Sequence, residues 1–337
     1  MLKRYEHVLK GAPARHKLLK AVKADQGYIH MDDASLMEYH DGHIGQYRDI
    51  LKKYENITEI PESKSPSLLD VKIELAERSL KKCNFCAIKC GTDRHIKPGL
   101  CGVDAVSHIS SEFLHTGEEP ELVPSHTIFF EGCNMKCAYC QNWTISTRIS
   151  GPTVDVEKLC SIIDRRYRQG SRNVNFVGGD PIPHLHTILK TIKCIGPNLP
   201  LIWNSNMYMS HESLKLLEGT IDVYLADLRY GNDEHALKYS KVKDYWENTT
   251  KAFLEANTQA ELLVRHLVLP GHVECCTKPI IEWCARELGK DVRLNLMFQY
   301  HPEYHAFMYP EIDRHLTTAE INRSLKIARE AGLTNMV

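Results

Sequence analysis

The residues whose spacing carries the most chemistry are cysteines. Cys133, Cys137 and Cys140 stand in the pattern C-x3-C-x2-C within Gly132-Cys133-Asn134-Met135-Lys136-Cys137-Ala138-Tyr139-Cys140-Gln141-Asn142-Trp143, just after the apolar run Ile128-Phe129-Phe130. Three thiolates so close on one loop can each take one iron of a [4Fe-4S] cube and leave the fourth iron open to a non-protein ligand. Structural zinc normally takes four protein ligands, so a compact triple is a poor zinc site unless a fourth arrives from elsewhere. Buried unpaired cysteines, packed as small hydrophobes, are the bland alternative. A second set, Cys83-x2-Cys86-x3-Cys90-x10-Cys101, places four thiols within 19 residues. Gly91, Gly99 and Gly102 let the backbone there fold tightly around a metal. Four thiolates make a complete site, either tetrahedral zinc or a second, closed iron–sulfur cluster, with unmetallated or redox-active thiols as the remaining reading. A closed site has no vacancy for substrate, so its role is structural or electron-relaying.

Elements able to position such groups follow the first set. Apolar runs at 127–130, 174–177, 201–203, 223–225, 262–264 and 294–298 read as buried parallel strands. Helical patterns lie between them. Val156, Leu159, Cys160, Ile163 and Tyr167 share one face, as do Ile281, Cys284 and Leu288. The ranges 185–195, 212–217, 234–256 and 319–330 supply the other helices. Six β–α units imply an α/β fold, an open, partial (β/α)6 TIM-type barrel with crossover helices outside. Reactive residues are then expected at the C-terminal ends of the strands. Those ends carry Gly178-Gly179-Asp180-Pro181, Asn204-Ser205-Asn206, Asp227 with Arg229 and Tyr230, Arg265-His266, and Gln299-Tyr300-His301. Each has a plainer reading beside the functional one. Gly-Gly and Asp-Pro form turns, Asn and Ser begin loops, and Asp227 with Arg229 can be a structural ion pair. Most of the eighteen histidines are incidental, and His266 can be one of them.

The cluster loop resembles that of the radical S-adenosylmethionine (radical SAM) enzymes, with the aromatic Tyr139 just before its third cysteine. More narrowly, the chain from Cys83 to Asn335 is similar to the PflX-like family, homologues of pyruvate formate-lyase activating enzyme. Asn175-Phe176-Val177-Gly178-Gly179-Asp180-Pro181, Trp203-Asn204-Ser205-Asn206, Arg265-His266-Leu267-Val268-Leu269-Pro270-Gly271 and Asn295-Leu296-Met297-Phe298-Gln299-Tyr300 carry that likeness. The resemblance implies a [4Fe-4S] cluster on Cys133, Cys137 and Cys140, with S-adenosylmethionine chelating the open iron and Tyr139 near its adenine. Gly178, Gly179 and Asp180 would meet the methionyl amino group. The superfamily has Gly-Gly-Glu at that corner, so the shorter Asp180 would reach it directly or through one water. Asn204, Ser205 and Asn206 suit the ribose or the methionyl carboxylate, Asp227 the substrate, Arg265 the carboxylate and His266 the ribose. Cys83, Cys86, Cys90 and Cys101 would hold the second metal. The implied partners are a one-electron donor such as flavodoxin or ferredoxin and a substrate from which a 5′-deoxyadenosyl radical takes hydrogen. A glycyl radical enzyme is the best-named candidate, reached through a lateral gap walled by Arg229, Tyr230, Tyr300, His301, Tyr304 and His305. A non-catalytic metal-binding or electron-transfer iron–sulfur protein is the reading from another class.

The whole chain sets the bounds. Its 337 residues are 43% hydrophobic and 25% charged, with a formal charge of −1. That balance offers no bulk attraction to nucleic acid or an anionic membrane. No apolar run approaches the ~20 residues of a bilayer span, and the first residues lack a signal-peptide pattern, so a cytoplasmic location is expected. Twelve cysteines there argue for metal or redox chemistry rather than disulfides. The divisions expected are a helical appendage over 1–65, a Cys-rich metal-binding segment over 66–124 and the barrel over 125–337. The turn-rich Pro61–Pro66 stretch marks the first boundary.

Overall fold

In the computed structural model, which describes residues 2–337, seven strands form one sheet in chain order. They are β1 (Ile109–His115), β2 (Ser125–Phe130), β3 (Val174–Gly178), β4 (Leu201–Ser205), β5 (Val223–Asp227), β6 (Glu261–Leu267) and β7 (Arg293–Met297). β2 to β7 are parallel and are the six expected strands of the partial barrel. β1 is an addition, antiparallel to β2. Its Ser110, Ser111 and Glu112 break the apolar run on which strands were recognised.

The helices are α1 (Lys3–Leu9), α2 (Arg15–Lys20), α3 (Asp33–Lys53), α4 (Leu68–Ser79), α5 (Trp143–Ser146), α6 (Val156–Arg168) and α7 (Leu185–Cys194). After them come α8 (His211–Leu217), α9 (Asp233–Ser240), α10 (Tyr245–Gln259), α11 (Lys278–Trp283) and α12 (Thr318–Glu330). The single helix expected over 234–256 is two, α9 and α10. Lys241 and Asp244 take left-handed backbone, with φ of 59° and 49°, and end one helix before the next begins. α12 starts on a capping box in which Thr317 and Glu320 satisfy each other's backbone amides.

Side-chain alternation divides the sheet into two faces. Ile128, Phe130, Phe176, Trp203, Tyr224, Leu262 and Leu294 point outward into the main core with the helices. Ile202, Val223, Leu225 and Leu263 point inward, where Leu2, Tyr5 and Leu122 meet them. The base of the barrel is therefore filled by α1 and by the loop between β1 and β2. Glu261 accepts from the backbone amides of Arg4 and Tyr5 at 2.9 and 2.7 Å, and Asn173 donates to the Tyr5 hydroxyl at 2.8 Å. Glu118, Glu119 and Glu121 of that loop accept from Asn175, Asn295 and Arg293.

The first 65 residues share this packing. Leu18, Leu19, Leu36 and Tyr47 belong to the same core as the barrel helices, and Arg15 N donates to Asp222 at 3.0 Å. The Pro61–Pro66 stretch runs beside α2, with Lys64 N bonded to Lys20 O. At the far edge, residues 335–337 pair with Leu294 of β7. Cys160 and Cys194, one counted above as an apolar helix position, are joined in a disulfide between α6 and α7 with Cα atoms 6.2 Å apart. Among the described residues, no helix is long and apolar enough to cross a membrane.

Candidate active site

The loop after β2 is held on three sides by backbone hydrogen bonds. Cys133 N donates to Cys101 O, Lys136 N to Ser240 O and Ala138 N to Tyr239 O, at 3.3, 3.0 and 2.7 Å. Tyr239 and Ser240 end α9, so the loop satisfies carbonyls that a helix terminus leaves orphaned. His305 N donates to Ala138 O at 2.8 Å from the opposite side. Each thiol has a donor nearby. Ser240 Oγ donates to Cys137 Sγ at 3.0 Å, Met135 N to Cys133 Sγ at 3.4 Å, and Ser146 Oγ lies 3.3 Å from Cys140 Sγ. Burial pushes the Cys133 and Cys137 thiols upward, so bare thiolates are disfavoured without a metal to hold them.

The strand β3 ends against this loop. Gly179 N donates to Phe130 O and Asp180 N to Gly132 O, at 2.9 and 3.0 Å. A Cβ at Gly178 would lie 1.9 Å from Phe130 O, and one at Gly179 would lie 2.2 Å from Gly132 O. Only glycines allow that approach. Asp180 follows, fully buried, and its carboxylate is already occupied. Ile182 N, Asn206 N and Ser205 Oγ donate to it at 3.0, 2.9 and 3.0 Å. Burial raises its pKa to about 6 even so. Asn206 continues the link, donating from Nδ2 to Asn134 Oδ1 at 2.8 Å, with Cys133 Sγ 3.8 Å away.

These ends enclose a cavity of about 360 Å3 at the C-terminal end of the parallel strands, within the range that takes small molecules. Of the residues singled out above, Tyr139, Cys140, Gly178, Gly179, Asp180, Asn204, Ser205, Asn206, Asp227 and Arg265 line it. Cys133 and Cys137 do not line it and are buried. His266 does not reach the cavity, which corrects its assignment to the ribose. Arg265 points inward, so the next residue of the strand points outward. His266 bonds Leu228 O at 2.8 Å and Thr277 Oγ1 at 2.9 Å. Tyr230 and Tyr300 are also buried rather than at the mouth, bonded to Ser240 Oγ and Ile312 O.

Sequence reasoning missed several lining groups. Glu118 reaches in from the loop before β2 and meets Arg265 at 3.3 Å, while Arg265 also holds Asp227 at 2.8 Å and Asn204 at 2.5 Å. His115, Asn142 and Met297 line the cavity too, beside Arg229 and Gln299, which stand at the strand ends singled out above. Arg229 donates to the other oxygen of Asp227 at 2.7 Å. Asp227 is thus gripped by two guanidiniums. A strand-end acid was legible from position, but Glu118 had no motif to announce it.

The other four cysteines converge too. Cys83, Cys86, Cys90 and Cys101 line one small void with Phe85, Ile88, Leu100 and Ile182. The module is fastened to the active-site side. Arg94, buried in it, donates to Pro183 O at 2.6 Å, Cys86 bridges to Met209, and Cys101 O receives Cys133 N. Among the described residues, neither cysteine set brings three sulfurs within 4.8 Å of one another. A zinc tetrathiolate with Zn–S of about 2.3 Å needs sulfurs about 3.8 Å apart, whereas thiolates on separate irons of a cube stand wider.

Residues 127–284 match the family described as the Radical SAM superfamily. The chain is 41% identical over 333 residues to a Methanocaldococcus jannaschii protein named "Uncharacterized protein MJ0674", covering 95% of that relative. A second protein of that organism, "Uncharacterized protein MJ0808", is 26% identical over 212 residues, with 59% of it covered. Among solved structures, methylornithine synthase (PylB) aligns at 14% identity over 63% of this chain and 70% of its own, with a TM-score of 0.45. Streptococcus suis SuiB, bound to precursor peptide SuiA, aligns at 12% identity over 60% of this chain with a TM-score of 0.44, and the chain spans 46% of that protein.

Proposed function

The chain belongs to the radical SAM superfamily, and within it we propose an oxidoreductase that cleaves S-adenosylmethionine reductively and abstracts hydrogen from a substrate at the barrel mouth. The observation that carries this reading is the position of Cys140. It lines the same cavity as Gly178, Gly179, Asp227 and Arg265, and its backbone amide bonds Cys137 O at 3.2 Å on the same loop. The donor set fits the group the family implies. Three thiols from one loop, spaced wider than zinc needs, leave one iron of a cube unclaimed. Three carboxylates, Glu118, Asp180 and Asp227, face two guanidiniums, Arg229 and Arg265, in this cavity. The resulting net negative charge complements the net positive charge of S-adenosylmethionine.

When bound, the reduced cluster and S-adenosylmethionine together supply the 5′-deoxyadenosyl radical. The chain's own residues do the rest. Cys133, Cys137 and Cys140 would hold three irons, and Ser240 Oγ and Met135 N direct hydrogen bonds at the Cys137 and Cys133 sulfurs. Gly178 and Gly179 let the end of β3 close directly onto Phe130 and Gly132 at the root of the cysteine loop. Arg265, fixed by Asp227, Glu118 and Asn204, presents a positioned guanidinium to a carboxylate. The apolar walls of Tyr139, Val177 and Leu267 exclude water from a radical that would react with almost any C–H bond.

A cavity of about 360 Å3 is filled largely by one nucleoside–amino acid conjugate. The substrate's reacting carbon must then come from outside, and a peptide segment or sizeable metabolite suits that approach. Neither residues 1–65 nor 300–316 line the cavity. Within this reading, membership of the PflX-like group and a glycyl radical enzyme as substrate rest on the motif likeness alone. A flavodoxin or ferredoxin is the donor we favour. The four thiols of Cys83, Cys86, Cys90 and Cys101, which line one small void, would hold a second, closed iron–sulfur cluster.

Anaerobic reconstitution followed by dithionite and S-adenosylmethionine tests the reading. The native chain should form 5′-deoxyadenosine and methionine, and the Cys133→Ala, Cys137→Ala, Cys140→Ala variant should form neither. Product from that variant, or none from the native chain with a loaded cluster, would remove it.

A further inference from the structure

Outside the cavity, the loops after β5 and β6 bring two imidazoles and a thiol together. Gly231 permits the meeting. A Cβ there would lie 2.7 Å from Cys276 O and 2.9 Å from its Cα, so the chain before α9 rests directly on the backbone at 275–276. Asn232, the N-cap of α9, donates from Nδ2 to Cys275 O at 2.8 Å. That bond fixes the amide and turns Oδ1 toward His235 Nδ1, also at 2.8 Å. His235 therefore carries its proton on Nδ1 and presents a bare Nε2, 4.0 Å from Cys275 Sγ. His272 is built alike. Its Nδ1 lies 2.7 Å from Pro270 O, which can only accept, so its lone pair is on Nε2. Histidines that give the other ring N–H to a carbonyl oxygen are oriented as metal ligands are.

One ligand atom from each of His235, His272 and Cys275 lies within 4.8 Å of the others. Tetrahedral zinc, with Zn–N of about 2.0–2.1 Å and Zn–S of about 2.3 Å, spaces such atoms about 3.3–3.6 Å apart. Closing the set takes less than about 1 Å from each side chain. A separate observation asks for a cation. The Tyr239 hydroxyl lies 2.9 Å from His272 Nε2 and 2.6 Å from Glu311 Oε1. In this tautomer both are acceptors and one hydroxyl proton cannot serve both, with Glu311 Oε1 also receiving Lys238 Nζ at 2.5 Å. A cation on Nε2 releases Tyr239 to donate to Glu311. Cys275 itself lies in a π-helical turn, Val273–Thr277, a distortion that recurs at functional sites.

We propose that His235, His272 and Cys275 bind one Zn2+ ion, with the fourth tetrahedral position left to water. Two imidazoles and a thiolate suit zinc among abundant divalent cations, and the Cys275 thiol gives its proton to solvent on binding. The site sits on α9, whose last two carbonyls hold the cysteine loop, so the ion braces the helix from which that loop hangs.

The test uses the full chain after iron–sulfur reconstitution, with zinc counted by elemental analysis after dialysis and affinity read by competition with a chromophoric chelator. The native chain should hold one zinc more than Cys275→Ser or His235→Gln, at unchanged iron content and circular dichroism. Asn232→Ala should keep the ion with affinity weakened about 10- to 100-fold, as for loss of a partner that orients a ligand. Equal zinc stoichiometry and affinity in the native chain, Cys275→Ser and His235→Gln would overturn the assignment. So would a native chain that retains no zinc in excess of these variants.

Discussion

Asp180 follows β3 at the corner where the family resemblance leads us to expect a carboxylate for the methionyl amino group, yet its oxygens are spent on the chain itself. With Ile182 N, Ser205 Oγ and Asn206 N all donating to it, it acts as the pin that fixes Asn206 beside Cys133. Removing it in Asp180→Ala strands buried donors, at about 1–3 kcal/mol each. We expect the unfolding free energy to fall by at least that much, and S-adenosylmethionine affinity to fall along with it. A direct ligand would behave differently, losing affinity at unchanged stability, and urea unfolding beside a binding isotherm separates the two. His266 belongs to another group, the buried imidazoles. Burial lowers His126, His184 and His266 to about 4, about 3 and about 4. The unfolded chain takes up these protons near pH 6.5 and the folded chain only near pH 3–4. Between those values the unfolded state binds more protons, so stability is full above pH 6.5 and falls as the pH drops. The loss should be about 2 kcal/mol per histidine from pH 7 to pH 5. Urea midpoints across that range should slope downward toward acid, less so in His266→Gln. A flat profile would show that these rings are not held neutral. Cysteine spacing made the candidate metal ligands legible because sequence-local thiols need no tertiary fold to be recognised. His266 was misplaced because its strand neighbour Arg265 took the inward face, a consequence of period-two alternation that motif likeness overrode.

At the scale of elements, the break between α9 and α10 matters most to the site. A helix running on through 234–256 would spend the Tyr239 and Ser240 carbonyls on its own amides. Because α9 ends at Ser240, its hydroxyl reaches Cys137 Sγ and its carbonyl receives Lys136 N. The break rests on left-handed Lys241 and Asp244, neither a glycine, so the local sequence gave little warning. Hydrogen bonds to cluster sulfurs raise reduction potentials. Ser240→Ala should therefore shift the cluster to a more negative potential in a redox titration, and an unchanged potential would place the hydroxyl outside the cluster's influence. The four-cysteine module is the second such element. Cys101 O holds Cys133 N, so its collapse should be felt across the site. Replacing Cys83, Cys86, Cys90 and Cys101 by serine should remove about four irons per chain and lower the melting temperature. Unchanged iron and melting would mean that the four thiols hold nothing. β1 and the acidic loop behind it were the least legible elements, since Glu118, Glu119 and Glu121 acquire their meaning only from distant partners on β3, β6 and β7.

Across the whole molecule, six parallel strands leave the barrel open at one side and at its base, and the chain closes the base with its own beginning. Leu2 and Tyr5 are buried against Ile202, Leu225 and Leu263, and each buried apolar side chain of this size contributes about 1.5–3 kcal/mol. The parallel strands and their order were readable from spaced apolar runs. The plug was not, because α1 is a short polar-looking helix whose few apolar residues find their partners far along the chain, at Leu122, Ile202, Val223, Leu225 and Leu263. The open end is left to the cofactor cavity, and the account stands on what occupies it. The most direct test is electron paramagnetic resonance of the dithionite-reduced chain carrying Cys83→Ser, Cys86→Ser, Cys90→Ser and Cys101→Ser, so that only the Cys133, Cys137 and Cys140 site contributes. The account predicts one [4Fe-4S]+ signal that changes shape when S-adenosylmethionine is added, with hyperfine coupling to a label in its methionyl carboxylate. A loaded, reduced cluster whose spectrum is the same with and without S-adenosylmethionine would contradict it.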